Sequence, residues 1–271
     1  MKADLQNDAP IGLFDSGIGG LTIARSIVDK LPNERIIYFG DTAHLPYGEK
    51  SVDAIRFYAL KICKLLLESN CKMIVVACNT AAAAAYDVLL EFFQDKIHFV
   101  NVVDPLVVKA SELAKRKVGI IATKTTVKSN IYKSKLNTLA PDLEVQQLAT
   151  PLFVPMIEEG FHKQEISHGI IDAYLNHESL KEIDTLLLAC THYPLIRKQI
   201  ESYYKDEVKV MDSMAVTAER VYQILSNNNL LASKRSDQSH EFYVSDYTES
   251  FAETTHMFFN EQINLQENAI W

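Results

Sequence analysis

Short apolar runs recur along the chain at residues 11–14, 36–39, 73–77, 99–103, 118–122, 186–189 and 208–211. Each is too short for a buried helix, and most are rich in Val, Ile or Leu. They predict strands buried on both faces. The longer stretches between them mix apolar and polar positions in a helical rhythm, at 21–31, 51–69, 81–93 and 125–139. Strand and helix in alternation predict parallel βαβ units and an α/β fold. A late strand at 241–244 and a helix near 249–259 close the pattern, and the tail beyond Asn260 is expected to fray.

The chain also rhymes with itself. The segment IGLFDS from Ile11 resembles VGIIAT from Val118, an offset of 118 − 11 = 107. The segment VACNT from Val76 resembles LACTH from Leu188, an offset of 188 − 76 = 112. Two rhymes at nearly one offset predict two similar α/β domains related by a pseudo-twofold, residues 1–98 with 208–271 and residues 99–207. Ligands of open α/β sheets sit beyond the carboxyl ends of the strands. Two facing halves would therefore put both cysteines of the rhyme, Cys78 and Cys190, on one interdomain cleft.

Composition narrows the function classes. The net charge of −8, from 27 basic and 35 acidic residues, gives no basic excess for nucleic acid. No apolar run approaches the ~18 to 20 residues that span a bilayer, and the first ten residues lack an apolar signal core. A cytoplasmic protein is expected, in which Cys63, Cys71, Cys78 and Cys190 stay reduced. They form no C-x-x-C pair, so no dithiol redox motif is present.

Cys78 follows the run 73–77 and precedes helix-forming alanines, so it is predicted at a strand end and a helix N-terminus. The helix dipole and free N–H groups there favour a thiolate, and Asn79 and Thr80 offer caps or donors to a carboxylate. The alternative is a buried cysteine packed as a small hydrophobe, the reading that suits Cys63 and Cys71. Cys190 repeats the setting, with Thr191, His192 and a helix-opening Pro194 after it. His192 is suited to raising the thiolate fraction; otherwise it is a helix-start histidine bonded to backbone. Asp15 closes the first strand and leads into Ser16, Gly17, Ile18, Gly19 and Gly20. The order is not G-x-G-x-x-G, and an acid stands where a phosphate would sit, so a dinucleotide site is not expected. Asp15 reads as a base, a partner to one, or a helix cap. The loop 40–48, GDTAHLPYG, reads as binding groups at a strand end or as an ordinary connection.

Together the segments DSGIGGLT (15–22), GDTAHLPYG (40–48), ACNTA (77–81) and ACTHYPL (189–195) resemble those of glutamate racemases and, more loosely, of the wider aspartate/glutamate racemase superfamily. Their order matches, and they span residues 15–195. The pair Thr123 and Thr126, and the stretch PLFVPMIE at 151–158, are similar to further segments of that family. Ala122 stands where the family usually has glycine.

The resemblance implies cofactor- and metal-free interconversion of L- and D-glutamate, supplying D-glutamate for peptidoglycan, in a homodimer without nucleic-acid or membrane partners. It implies Cys78 and Cys190 as the two acid/base residues, Asp15 assisting Cys78, His192 assisting Cys190, and Glu158 as a further acid on the Cys190 side. It implies a substrate site lined by Asp15, Ser16, Tyr47, Gly48, Asn79, Thr80, Thr123, Thr191 and His192. Aspartate or hydantoin racemisation is the nearest rival. More distant are a zinc site of Cys78, Cys190 and His192, a cysteine hydrolase and a non-catalytic binding module.

Overall fold

A computed structural model describes residues 5–259 and 261–271. Its strands are β1 (Ile11–Asp15), β2 (Ile36–Gly40), β3 (Met73–Val76), β4 (His98–Asn101), β5 (Lys117–Ala122), β6 (Glu144–Ala149), β7 (Thr185–Ala189), β8 (Lys209–Asp212), β9 (Glu241–Val244) and β10 (Leu265–Glu267). The helices are α1 (Leu21–Lys30), α2 (Val52–Glu68), α3 (Asn79–Phe93), α4 (Val103–Leu113), α5 (Lys124–Ser129), α6 (Ile131–Leu139), α7 (Phe153–Glu158), α8 (Ile166–Leu175), α9 (Arg197–Tyr203), α10 (Met214–Asn227) and α11 (Glu249–Phe259). No helix among the described residues is long and apolar enough to cross a membrane.

Two parallel sheets result. One has the order β10-β9-β2-β1-β3-β4 and the other β6-β5-β7-β8. The four strands β2-β1-β3-β4 and the four strands β6-β5-β7-β8 follow the same order, each half laying its second strand on one side of its first and its third on the other. The rhyme at offset 107 therefore joins β1 to β5, and the rhyme at 112 joins the ends of β3 and β7. Central strands β1, β2, β3 and β7 are buried along their whole length, as their unbroken apolar runs require.

Several expectations shift. The chain passes from the first sheet to the second after Asn101, and returns after Asp212, because β4 pairs with β3 and β8 with β7. Both crossings lie a strand beyond the expected 98/99 and 207/208. The helix expected at 125–139 is two helices, broken at Asn130 with φ of 57°, a conformation asparagine tolerates better than most residues. Strand β6, EVQQLA, was absent from the apolar pattern because it is a half-exposed edge strand. The tail beyond Asn260 does not simply fray: β10 runs parallel to β9, with Leu265 beside Phe242 and Glu267 beside Val244.

Candidate active site

A cavity of about 310 Å³ lies between the sheets. Ser16 follows β1, Cys78–Thr80 follow β3, Thr123 follows β5, Thr150 follows β6 and Cys190–His192 follow β7; all of them line it, with Leu45–Glu49 from the loop after β2. In both sheets the order reverses between the first and third strand, the place where open α/β sheets bind ligands. All four cysteines are buried thiols, but only Cys78 and Cys190 line this cavity. Burial pushes the Cys63 and Cys71 thiols up, Cys71 to about 12, and both pack as small hydrophobes.

Cys78 is itself the N-cap of the 15-residue α3. The Ala81 N–H donates to its sulfur at 3.4 Å, and the sulfur donates to Ser16 Oγ at 3.6 Å. Burial, with the charge of Asp15 added, holds the thiol at about 12 against these contacts. Asn79 and Thr80 form the first helical turn. The Tyr132 hydroxyl donates to Asn79 Oδ1 at 2.5 Å, which fixes the amide and leaves its buried Nδ2 without an acceptor. Such an orphan donor beside a cavity calls for an acceptor.

The Cys190 end differs from the expected repeat. Pro194 opens only a short 3-10 turn, Tyr193–Ile196, and α9 starts at Arg197. The sulfur thus lacks a long helix N-terminus. It has instead His192 Nδ1 at 3.8 Å, and His192 Nε2 lies 2.9 Å from Glu158 Oε1 on α7. Burial works against the imidazolium, yet the bonds to Cys190 and Glu158 prevail and raise its pKa to about 10. The chain Glu158–His192–Cys190 therefore carries a cation at neutral pH, the natural counter-ion of a thiolate.

Asp15 does not line the cavity, against expectation. It is fully buried behind Ser16. It caps no helix; Oδ2 accepts from the Gly17 N–H at 3.0 Å, and Oδ1 has no partner. Burial raises its pKa, opposed by the His192 charge and by the N–H groups of Gly17, Gly20 and Ser16.

The glycine-rich turn packs across the two halves. A Cβ on Gly19 would stand 2.3 Å from His192 Cε1 and 2.6 Å from Thr191 Oγ1. Only glycine lets the first half press its turn against the second half's Thr191 and His192. Nearby, the Thr22 hydroxyl donates to the Thr191 carbonyl at 3.0 Å. Across the cavity Thr80, Thr123 and Thr126 join hydroxyls at 2.9, 3.0 and 3.3 Å. The Thr125 hydroxyl donates to the Gly48 carbonyl at 2.8 Å. These contacts stitch the halves along both flanks of the cavity.

Sequence reasoning missed Lys124 and Glu49, which pair at 3.1 Å on the cavity wall. No local pattern separates them from ordinary surface charges. Among the described residues no three His, Cys, Asp or Glu side chains cluster as a metal-binding group. Cys78, Cys190 and His192 thus supply no zinc ligand set.

The family model described as Asp/Glu/Hydantoin racemase matches residues 18–221. The chain belongs to this racemase family. Among racemase relatives, the glutamate racemase of Chlorobaculum tepidum is 40% identical over 264 residues, covering 96% of this chain and 95% of that protein. The crystal structure of the Francisella tularensis glutamate racemase, in complex with D-glutamate, matches with a TM-score of 0.89 at 37% identity, over 96% of this chain and 97% of that one. The aspartate racemase of Picrophilus torridus, at 22% identity and a TM-score of 0.55 over 80% of this chain and 95% of that one, shares the fold.

Proposed function

We propose that this protein interconverts L- and D-glutamate by two-base proton transfer, with Cys78 and Cys190 acting on opposite faces of the α-carbon. The observation that carries the reading is the pair of thiols on topologically equivalent strand ends lining one small cavity. Relatives of the whole chain named glutamate racemase favour glutamate over aspartate.

Racemisation removes the α-proton from one face and returns a proton to the other, so a single fixed base does not suffice. In one direction the Cys190 thiolate takes the α-proton and becomes a thiol. The electron pair left on carbon spreads into the α-carboxylate, and the Cys78 S–H delivers its proton to the opposite face, leaving a Cys78 thiolate. The reverse direction exchanges the roles. The α-proton is very weakly acidic, so the base has to be poised and the developing charge held by donors already in place. Asn79 Nδ2 and the hydroxyls of Ser16, Thr80, Thr123 and Thr191 supply them, and Tyr47 and Gly48 close the wall. His192 steadies the charge on Cys190, with Glu158 holding the imidazolium. Asp15 acts from behind as a positioning residue, through its field on Cys78 and its bond to the glycine-rich turn. The two halves form separate domains around the cleft, one of residues 5–101, 213–259 and 261–271 and the other of residues 102–212.

In this reading the product feeds peptidoglycan synthesis in the cytoplasm, and two copies associate as a dimer. The test is direct. Purified protein, incubated with a panel of L-amino acids and no added cofactor, is assayed for D-product by chiral chromatography. D-Glutamate alone is the expected product; D-aspartate in its place would overturn the assignment.

A further inference from the structure

The loop carrying Leu45–Glu49 contributes five successive residues to the cavity wall, and it is held from outside the site. At its base lies Asp41, fully buried. Its carboxylate takes four side-chain partners: the Tyr47 hydroxyl at 2.6 Å, His44 Nδ1 at 2.9 Å, the Ser245 hydroxyl at 2.8 Å and the Trp271 indole N–H at 3.0 Å. Burial and the Asp41 charge push the Tyr47 hydroxyl well up, so it stays a donor. Two of these partners lie in or next to the loop. The other two come from residues more than 200 positions away.

Strand β10 accounts for Trp271. It pairs with β9, and the Asn268 N–H donates to the Val244 carbonyl at 2.8 Å. The segment is thereby led along the sheet edge to the loop. There the indole meets His44 edge-on at 4.4 Å between centroids and Tyr58 at 5.3 Å. His44 stacks on Tyr58 at 4.0 Å, and the Lys61 ammonium lies 4.6 Å above the indole. A charged acceptor buried among four donors makes strong, directional bonds.

We propose that Trp271 is a positioning residue for the substrate loop: its indole N–H, through the Asp41 carboxylate, fixes Tyr47 and the wall of the cavity that follows it. The inference rests on the proposed glutamate site. It commits the residues that follow β10 to substrate binding through this link.

Two properties make it testable. Trp271→Phe keeps an aromatic ring against His44 and Tyr58 but removes the N–H. Losing one such bond raises KM for glutamate about fivefold, the equivalent of roughly 1 kcal/mol, with kcat within about twofold and the melting temperature unchanged. Trp271→Ala, which also empties the aromatic cluster, raises KM about tenfold and lowers the melting temperature as well. Trp271 is also the sole tryptophan of the chain, so the wild-type protein reports on itself: D-glutamate should change its emission with a midpoint near KM. A wild-type KM in Trp271→Phe, or emission indifferent to saturating D-glutamate, would overturn the inference. A wild-type protein that turns over no glutamate would instead count against the proposed function.

Discussion

The Cys78 and Cys190 ends of the cavity follow equivalent strands, yet each surrounds its sulfur differently. At Cys78 the protein offers a 15-residue helix start, a serine hydroxyl and a buried carboxyl behind it. No cation contacts this sulfur among the described residues, and burial holds the thiol at about 12. At Cys190 the helix is replaced by a 3-10 turn, and an imidazolium backed by Glu158 takes its place. A partial charge of about half a unit at a helix N-terminus is exchanged for a full one. The two like halves thus share the placement of the thiols but not the groups around them. Only the Cys190 end thus has a full positive charge beside its sulfur.

Changes to the sulfurs test the comparison most severely. Cys78→Ser and Cys190→Ser should each lower kcat by about a thousandfold, as expected for loss of an acid/base group, in steady-state assays in both directions. Near wild-type rates in either variant would end the two-base account. Next in size is Gly19→Ala. Its methyl displaces His192, which is buried and cannot move cheaply. A misplacement near 1 Å costs about a hundredfold in rate, so kcat should fall by that order while circular dichroism shows an intact fold.

A sharper comparison comes from pH. L- and D-glutamate are mirror images, so their equilibrium constant is unity and kcat/KM must be the same in both directions at every pH. The unlike surroundings of the two sulfurs can appear only in kcat and KM taken separately, and these should differ between directions. The common kcat/KM should fall as pH rises through about 10, where the His192 imidazolium is lost. Since Glu158 helps to raise that value, Glu158→Gln should move the alkaline limb to lower pH and reduce kcat/KM roughly tenfold at neutral pH. An unmoved limb would show that Glu158 does not support His192. The smallest effect is expected for Thr126→Val, which keeps the shape but removes hydroxyl contacts to Thr80 and Thr123. It should cost about 1 kcal/mol of stability by thermal unfolding and alter both directions equally.

How much of this was legible beforehand depended on range. Central strands were readable because burial on both faces leaves an unbroken apolar run, as in β1 and β7. Edge strands β6 and β10 were not, because only part of each is buried. The cysteines, His192 and Glu158 were found through motifs, and the repeated strand-Cys pattern gave the cleft. What stayed hidden needs the folded chain. Gly19 reads only as one residue of a glycine-rich turn until the fold brings it against His192. Lys72 reads as a surface lysine, yet it is fully buried and bonded to Glu34, Asn7 and Leu230. Trp271 reads as part of a fraying tail until β10 carries it to Asp41.

The central proposal, one thiol on each face of the α-carbon, is tested most directly by proton exchange in the single cysteine variants. Each would be incubated with L- and then D-glutamate in deuterated water, and α-deuterium followed by proton NMR. The account predicts that Cys78→Ser exchanges the α-proton of one enantiomer, Cys190→Ser that of the other, both without inversion. Exchange of both enantiomers by either variant would contradict it.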